Sequence, residues 1–209
     1  MVAHHFNLMI PIHLNLIQEI DRLWDPVYPY LARQIAELYG RQDGNILEIG
    51  PFCGVIFTLL KKNIGSSFSI ATFPKGMGHF FREEVRQRRI EDKIEVMETD
   101  PSLTGIKENH SDLAIFRGAF FFPSLFEVNF LEIYRVLKPG GIAFIGGGFG
   151  KFTPEAVIKD IGKRSRDLNL QIGKIEVNEE KLWKDIQAEN VKWKFEVVTE
   201  GGLWVVMKK

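Results

Sequence analysis

The residues best able to do chemistry lie in Asn45-Ile-Leu-Glu-Ile-Gly-Pro-Phe-Cys-Gly54. An apolar run carries one acid, Glu48, into a turn with glycines at 50 and 54, and a helical pattern follows. Glycine lets backbone approach a ligand closely, and the first turn of a helix offers unpaired N–H groups. The pattern suits nucleotide-type binding, and it equally suits a tight strand-to-helix turn with no ligand. Asp100 precedes Pro101 and by itself reads as a turn residue. Arg117 ends an apolar run and by itself reads as a surface ion-pair partner. Cys53 is the single cysteine, which excludes an intrachain disulfide and a cysteine-rich zinc site and fits a reducing compartment. His4, His5 and His13 cluster near the N-terminus but lack the further oriented ligands a metal needs, so they read as a terminal segment or lid, and no metal is expected.

Other chemistries fit less well. A dinucleotide-dependent dehydrogenase wants Gly-x-Gly-x-x-Gly and then a ribose-binding acid; Gly50-Pro-Phe-Cys-Gly-Val55 has the wrong spacing and Thr72 is not acidic. In Gly146-Gly-Gly-Phe-Gly-Lys-Phe152, a P-loop would need glycine in place of Ile145 and Ser/Thr in place of Phe152. No zinc-protease helix or hydrolase elbow is present. With 27 Lys+Arg against 27 Asp+Glu the formal charge is zero, which argues against a nucleic-acid partner.

These residues need a scaffold. Leu14, Ile17, Ile20 and Trp24 recur at helical spacing, as do Leu31, Ile35 and Leu38. Asp25-Pro26 breaks the first helix and Gly40 stops the second. From Ile46 the pattern alternates. Strands are predicted at Ile46–Ile49, Phe68–Thr72, Ile94–Glu98, Leu113–Phe116 and Ile142–Gly146, with helices at Gly54–Lys62, Lys75–Arg88 and Ser124–Val136 between them. Continuous apolar strands imply burial on both faces. Helices at Pro154–Leu168 and Glu179–Ala188 precede strands Trp193–Thr199 and Leu203–Met207, joined by Glu200-Gly201-Gly202. The expectation is an α/β fold: a Rossmann-like seven-stranded, mostly parallel sheet ending in an antiparallel hairpin, with an N-terminal helical cap over 1–43 and the main domain over 44–209. No apolar run approaches the ~18 residues of a membrane span, and the N-terminus lacks a basic n-region and a cleavage site. The expected location is cytoplasmic, with no membrane partner; oligomeric state is left open.

Four segments, in order, resemble the class I S-adenosylmethionine-dependent methyltransferases: Glu48-Ile-Gly50 with Gly54, Ile94-Glu-Val-Met-Glu-Thr-Asp100, Ser111-Asp-Leu-Ala-Ile-Phe-Arg-Gly118, and Arg135-Val-Leu-Lys-Pro-Gly-Gly-Ile-Ala-Phe144. The resemblance implies S-adenosylmethionine as cofactor. Beside Glu48, it implies that Gly50, Pro51, Phe52, Cys53 and Gly54 pass beneath the methionine part. Thr72 and Phe73 would sit near ribose and adenine, Asp100 would accept from the adenine amino group, and Arg117 and Gly118 would line the methionine end. Two positions depart from the family: Thr72 stands where a ribose-binding acid is usual, and Phe52 where a glycine is usual. A neutral hydroxyl for a carboxylate costs on the order of 1–2 kcal/mol of affinity.

The function implied is methyl transfer to a small, partly apolar molecule. The family's Asn/Asp-Pro-Pro-aromatic and Pro-Cys nucleic-acid motifs are missing, and Arg117-Gly-Ala-Phe-Phe-Phe-Pro123 stands after the fourth strand. Phe120 and its two neighbours belong either to the core or to an acceptor pocket. Trp24 and Tyr28, in Trp24-Asp-Pro-Val-Tyr-Pro-Tyr30, belong to a lid over the site or to a cap packed on the sheet edge. No catalytic base is assigned; His4, His5 and Tyr28 are the candidates. The alternative is a noncatalytic ligand-sensing or partner-binding protein on the same fold.

Overall fold

A computed structural model of the chain describes residues 10–188 and 193–209; His4 and His5, and the side chain of His13, lie outside what it describes. Two amphipathic helices come first, α1 (Ile10–Leu23) and α2 (Tyr28–Tyr39), and Gly40 ends α2 in the left-handed conformation at φ +66°. Then follow β1 (Asn45–Ile49), α3 (Val55–Lys61), β2 (Ser67–Thr72), α4 (Met77–Gln87), β3 (Ile94–Glu98), β4 (Ser111–Arg117), α5 (Phe130–Val136) and β5 (Leu137–Gly147). The chain closes with α6 (Glu155–Gln171), α7 (Glu179–Ala188), β6 (Lys194–Val198) and β7 (Leu203–Lys208).

The seven strands form one sheet in the order β3-β2-β1-β4-β5-β7-β6. Strands β1 to β5 pair in parallel, and β7 runs antiparallel between β5 and β6. Strand β4 is buried along its whole length, with the apolar run Leu113–Phe116 at its centre. The strand order reverses between β1 and β4, and in open α/β sheets the crevice outside the carboxyl ends at such a reversal is where ligands bind. One hydrophobic core runs from Ile17, Leu31 and Ile35 of the first two helices through the central strands to Trp204. Trp204 stacks on Phe144 with ring centroids 4.1 Å apart.

One helix departs from expectation. The predicted Ser124–Val136 helix shortens to α5, capped by Asn129, whose side chain accepts from the Glu132 N–H at 3.1 Å. The residues before it form turns that send Phe122 and Phe126 into the core, and burying both outweighs helical propensity there. Among the described residues no helix is long and apolar enough to cross a membrane.

Gly146 lies where β5 meets β7, and a Cβ there would run into the Leu203 carbonyl oxygen, a backbone atom that cannot step aside. Gly162, inside α6, has room: its Cβ would meet only the Phe149 ring at 3.8 Å. Thermal denaturation should show Gly146→Ala losing about 1–3 kcal/mol and Gly162→Ala gaining roughly 0.5–1 kcal/mol from helix propensity.

Candidate active site at the carboxyl ends of the central strands

The loop after β1 is built around Glu48, which is fully buried. Its carboxyl oxygens accept from the Val55 N–H at 3.3 Å and the Ile56 N–H at 2.7 Å, satisfying two orphan donors at the start of α3. Burial pushes this carboxyl up to about 8, against the lowering pull of the Ile56 N–H and of Arg117. Gly50 turns the chain at φ +98°. Its carbonyl accepts from the Thr72 hydroxyl at 2.9 Å and lies 3.0 Å from the Cys53 Sγ. Thr72 and Cys53 are both completely buried. Thr72 therefore holds the loop, and an acid at that position would be a carboxylate shut away from water. Burial raises the Cys53 thiol well above its ordinary range, which leaves it unreactive. Pro51 is buried within the same turn.

Arg117, at the end of β4, is 5% exposed. Its Nη2 donates to Asp21 Oδ1 at 3.2 Å and to the Tyr28 hydroxyl at 2.6 Å. The Tyr28 hydroxyl in turn lies 2.8 Å from both the backbone oxygen and Oδ1 of Asp21, as donor. Burial lifts the Asp21 carboxyl to about 6, although Arg117 and Tyr28 favour its charged form. Trp24, Tyr28 and Phe52 surround the guanidinium, with ring centroids 5.1, 4.8 and 5.5 Å from its carbon. Asp21 is the residue that sequence reasoning missed. The signal was an acid on the apolar face that Ile17, Ile20 and Trp24 define at helical spacing.

The other predicted residues are spread along the same edge. Phe73, 2% exposed, packs edge-on against Phe116 and Phe126 at 5.8 and 5.6 Å. Asp100 is exposed beyond β3, where its Oδ1 accepts from the Ser102 N–H at 2.9 Å and the Thr104 N–H at 3.4 Å. Hydrogen bonds from Thr104 hold its carboxyl below the usual range. Phe120 packs on Phe130 at 6.0 Å and lies outside the cleft described next. Its neighbours Phe121 and Phe122 line that cleft.

The cleft, of about 650 Å³, opens beside the ends of β4 and β5. Its walls include Trp24, Phe52, Phe121, Phe122 and Phe149, with Arg117 and Gly118 from the end of β4. Trp24 stacks on Phe149 at 4.7 Å. The volume is that of a small-molecule site. Of the predicted cofactor residues, the cleft brings together Phe52, Arg117 and Gly118, and it leaves Gly50, Gly54, Thr72, Phe73 and Asp100 outside.

The glycines test whether S-adenosylmethionine fits over the loop. Each offers the close approach that a missing Cβ allows, and each is met by a ring of this chain. A Cβ on Gly50 would lie 2.7 Å from Phe116, one on Gly118 would lie 2.8 Å from Phe52, and one on Gly54 would collide with Tyr28. Phe52 also packs on Phe122 at 5.2 Å. In this conformation rings of the chain, and not an open cradle, stand where a Cβ on each of these glycines would lie.

The buried carboxyl of Glu48 makes a pH prediction. A folded-state value raised from 4.5 to about 8 contributes stability that is complete below pH 4.5 and lost as pH rises through 8. Asp21 spans a lower window, from 3.8 to about 6. Between pH 6 and 8, wild type should lose on the order of 2 kcal/mol relative to Glu48→Gln, read as converging melting curves measured at stepped pH.

Known proteins share this sequence pattern and this fold. Residues 47–145, from β1 to β5, match the family model described as a methyltransferase domain. A solved structure from Methanococcus maripaludis, assigned provisionally as an S-adenosyl-L-methionine-dependent methyltransferase, superposes with a TM-score of 0.78 at 23% identity, covering 100% of this chain and 97% of that one. A SAM-dependent methyltransferase from Aquifex aeolicus gives 0.60 at 17% identity, covering 92% and 96%. Geranyl diphosphate C-methyltransferase from Streptomyces coelicolor, solved with Mg2+, geranyl diphosphate and S-adenosyl-L-homocysteine, gives 0.53 at 14% identity, covering 85% and 76%. Among curated proteins, a highly reducing polyketide synthase of Penicillium polonicum is 33% identical over 127 residues, 58% of this chain; the chain spans about 5% of that protein's length. A methyltransferase-domain sequence pattern thus runs from β1 to β5 on a sheet whose fold is shared with solved S-adenosylmethionine-dependent methyltransferases.

Proposed function

We propose that this protein transfers a methyl group from S-adenosylmethionine to a small, partly apolar acceptor held in the cleft beside Arg117. The observation that carries the reading is the cleft itself: its aromatic walls end on Phe52, Arg117 and Gly118, the residues of the predicted cofactor set at the methionine end. Such walls orient an apolar body and exclude water from the reacting centre, the two contributions a protein makes to an already activated methyl donor. Tyr28 is not a free base, because its hydroxyl donates to Asp21 and burial raises its pKa well above the ordinary value. The acceptor therefore brings a nucleophile that needs no strong base from Tyr28.

A second reading, a noncatalytic ligand-binding protein on this fold, is favoured by one observation: the chain's own rings cover Gly50, Gly54 and Gly118. Calorimetry with S-adenosylmethionine and S-adenosylhomocysteine separates the two, followed by transfer of labelled methyl groups to a metabolite panel. Wild type is expected to bind. Phe52→Ala should tighten binding about tenfold while costing about 3–5 kcal/mol of stability from the cavity it leaves. If neither protein binds cofactor at saturating concentration, the noncatalytic reading stands.

A further inference from the structure

We infer that the cleft recognises a carboxylate on an apolar body, and that Arg117 is the residue that reads it. The inference rests on the cleft being the acceptor site. Arg117 lines the cleft yet spends only Nη2 on polar partners, Asp21 and Tyr28. Its Nε is buried with no hydrogen-bond partner, and Nη1 has none among the described residues. The rings of Trp24, Tyr28 and Phe52 stabilise the charge but accept no hydrogen bond in the guanidinium plane. A planar guanidinium with donors to spare matches the two oxygens of a carboxylate.

The rest of the cleft has the same sign. Its charged lining residues are Arg117, Arg166 and Lys174 against Glu176 alone. Neither Arg166 nor Lys174 forms an ion pair among the described residues, whereas Arg164 on the same helix pairs with Asp160 at 3.1 Å. Lys174 stands exposed at the mouth, its ammonium 5.7 Å from the Phe121 ring. Apolar surface continues to the mouth, where Leu170 is 64% and Ile175 46% exposed. Buried cation, cationic mouth and apolar walls together select an amphiphilic acid over a neutral or cationic molecule of equal size.

The test compares decanoate with decanamide, and 3-phenylpropionate with its amide, by calorimetry on the intact protein. Each acid should bind at least tenfold tighter than its amide. The preference should fall to about twofold in Arg117→Met/Asp21→Asn, which removes the cation without stranding a buried carboxylate. Lys174→Gln, at the exposed mouth, should reduce it about threefold and leave folding intact, so the test survives a misfolded double variant. Equal affinity of acid and amide, an undiminished preference in both variants, or no binding of either acid up to millimolar concentration would overturn the inference.

A carboxylate at Arg117 has a second source, the methionine end of the cofactor, and repeating the titrations with saturating S-adenosylhomocysteine separates the two. Persistence of the acid preference assigns the anion to the acceptor; its abolition assigns Arg117 to the cofactor and overturns the proposal. None of these titrations needs turnover. Acid preference without methyl transfer would retire the enzyme reading alone, and transfer without acid preference would retire this one alone.

Discussion

The structure depends on one buried charge. Arg117 ends the central strand β4 with its guanidinium almost wholly removed from water, and such a charge persists only where something pairs with it. Asp21 supplies the carboxyl from α1 and Tyr28 the hydroxyl from α2, so a single ion pair and two hydrogen bonds tie the first two helices to the sheet. Much of the site's shape follows. With Tyr28 held there, its ring lies against Gly54, and any side chain larger than hydrogen at 54 would displace it. Trp24, one turn beyond Asp21 on the same helical face, packs by Arg117 and forms one wall of the cleft.

The same packing sets stability against access. Phe52, Phe73, Phe116, Phe122 and Phe126 are all at most 5% exposed along the carboxyl edge of the sheet; Phe52 packs on Phe122, and Phe73, Phe116 and Phe126 pack on one another. Edge-to-face aromatic contacts of this kind add to the burial of large apolar surfaces. In many α/β proteins that edge is kept open for a ligand. Here the rings reach the glycines, and the open space lies to one side, between the ends of β4 and β5 and helix α6. Thr72 follows the same logic: its hydroxyl is committed to the Gly50 carbonyl, in support of the loop.

Much of this was legible in the residue order. Strands β1, β2 and β3 fall within one residue of their predicted limits, and α7 coincides with its prediction, because an apolar run bounded by turn residues carries its own signal. The glycines at 50 and 54, the acid at 48 and the terminal hairpin likewise announced a strand-turn-helix and a mostly parallel sheet with an antiparallel end. What remained hidden was contact between residues far apart in the chain. Arg117 meets Asp21 across 96 positions and Tyr28 across 89, and no periodicity encodes which acid a buried arginine will find. Phe120, Phe121 and Phe122 are one residue type in succession. Only the turn they occupy decided that the first packs on Phe130 and the other two line the cleft. The sequence by itself determined the elements and their order, since hydrophobic spacing and turn chemistry are local. Tertiary structure alone decided that the glycine loop is roofed by the chain's own rings, because the same missing Cβ admits a ligand or a phenyl group, and close packing chose the ring.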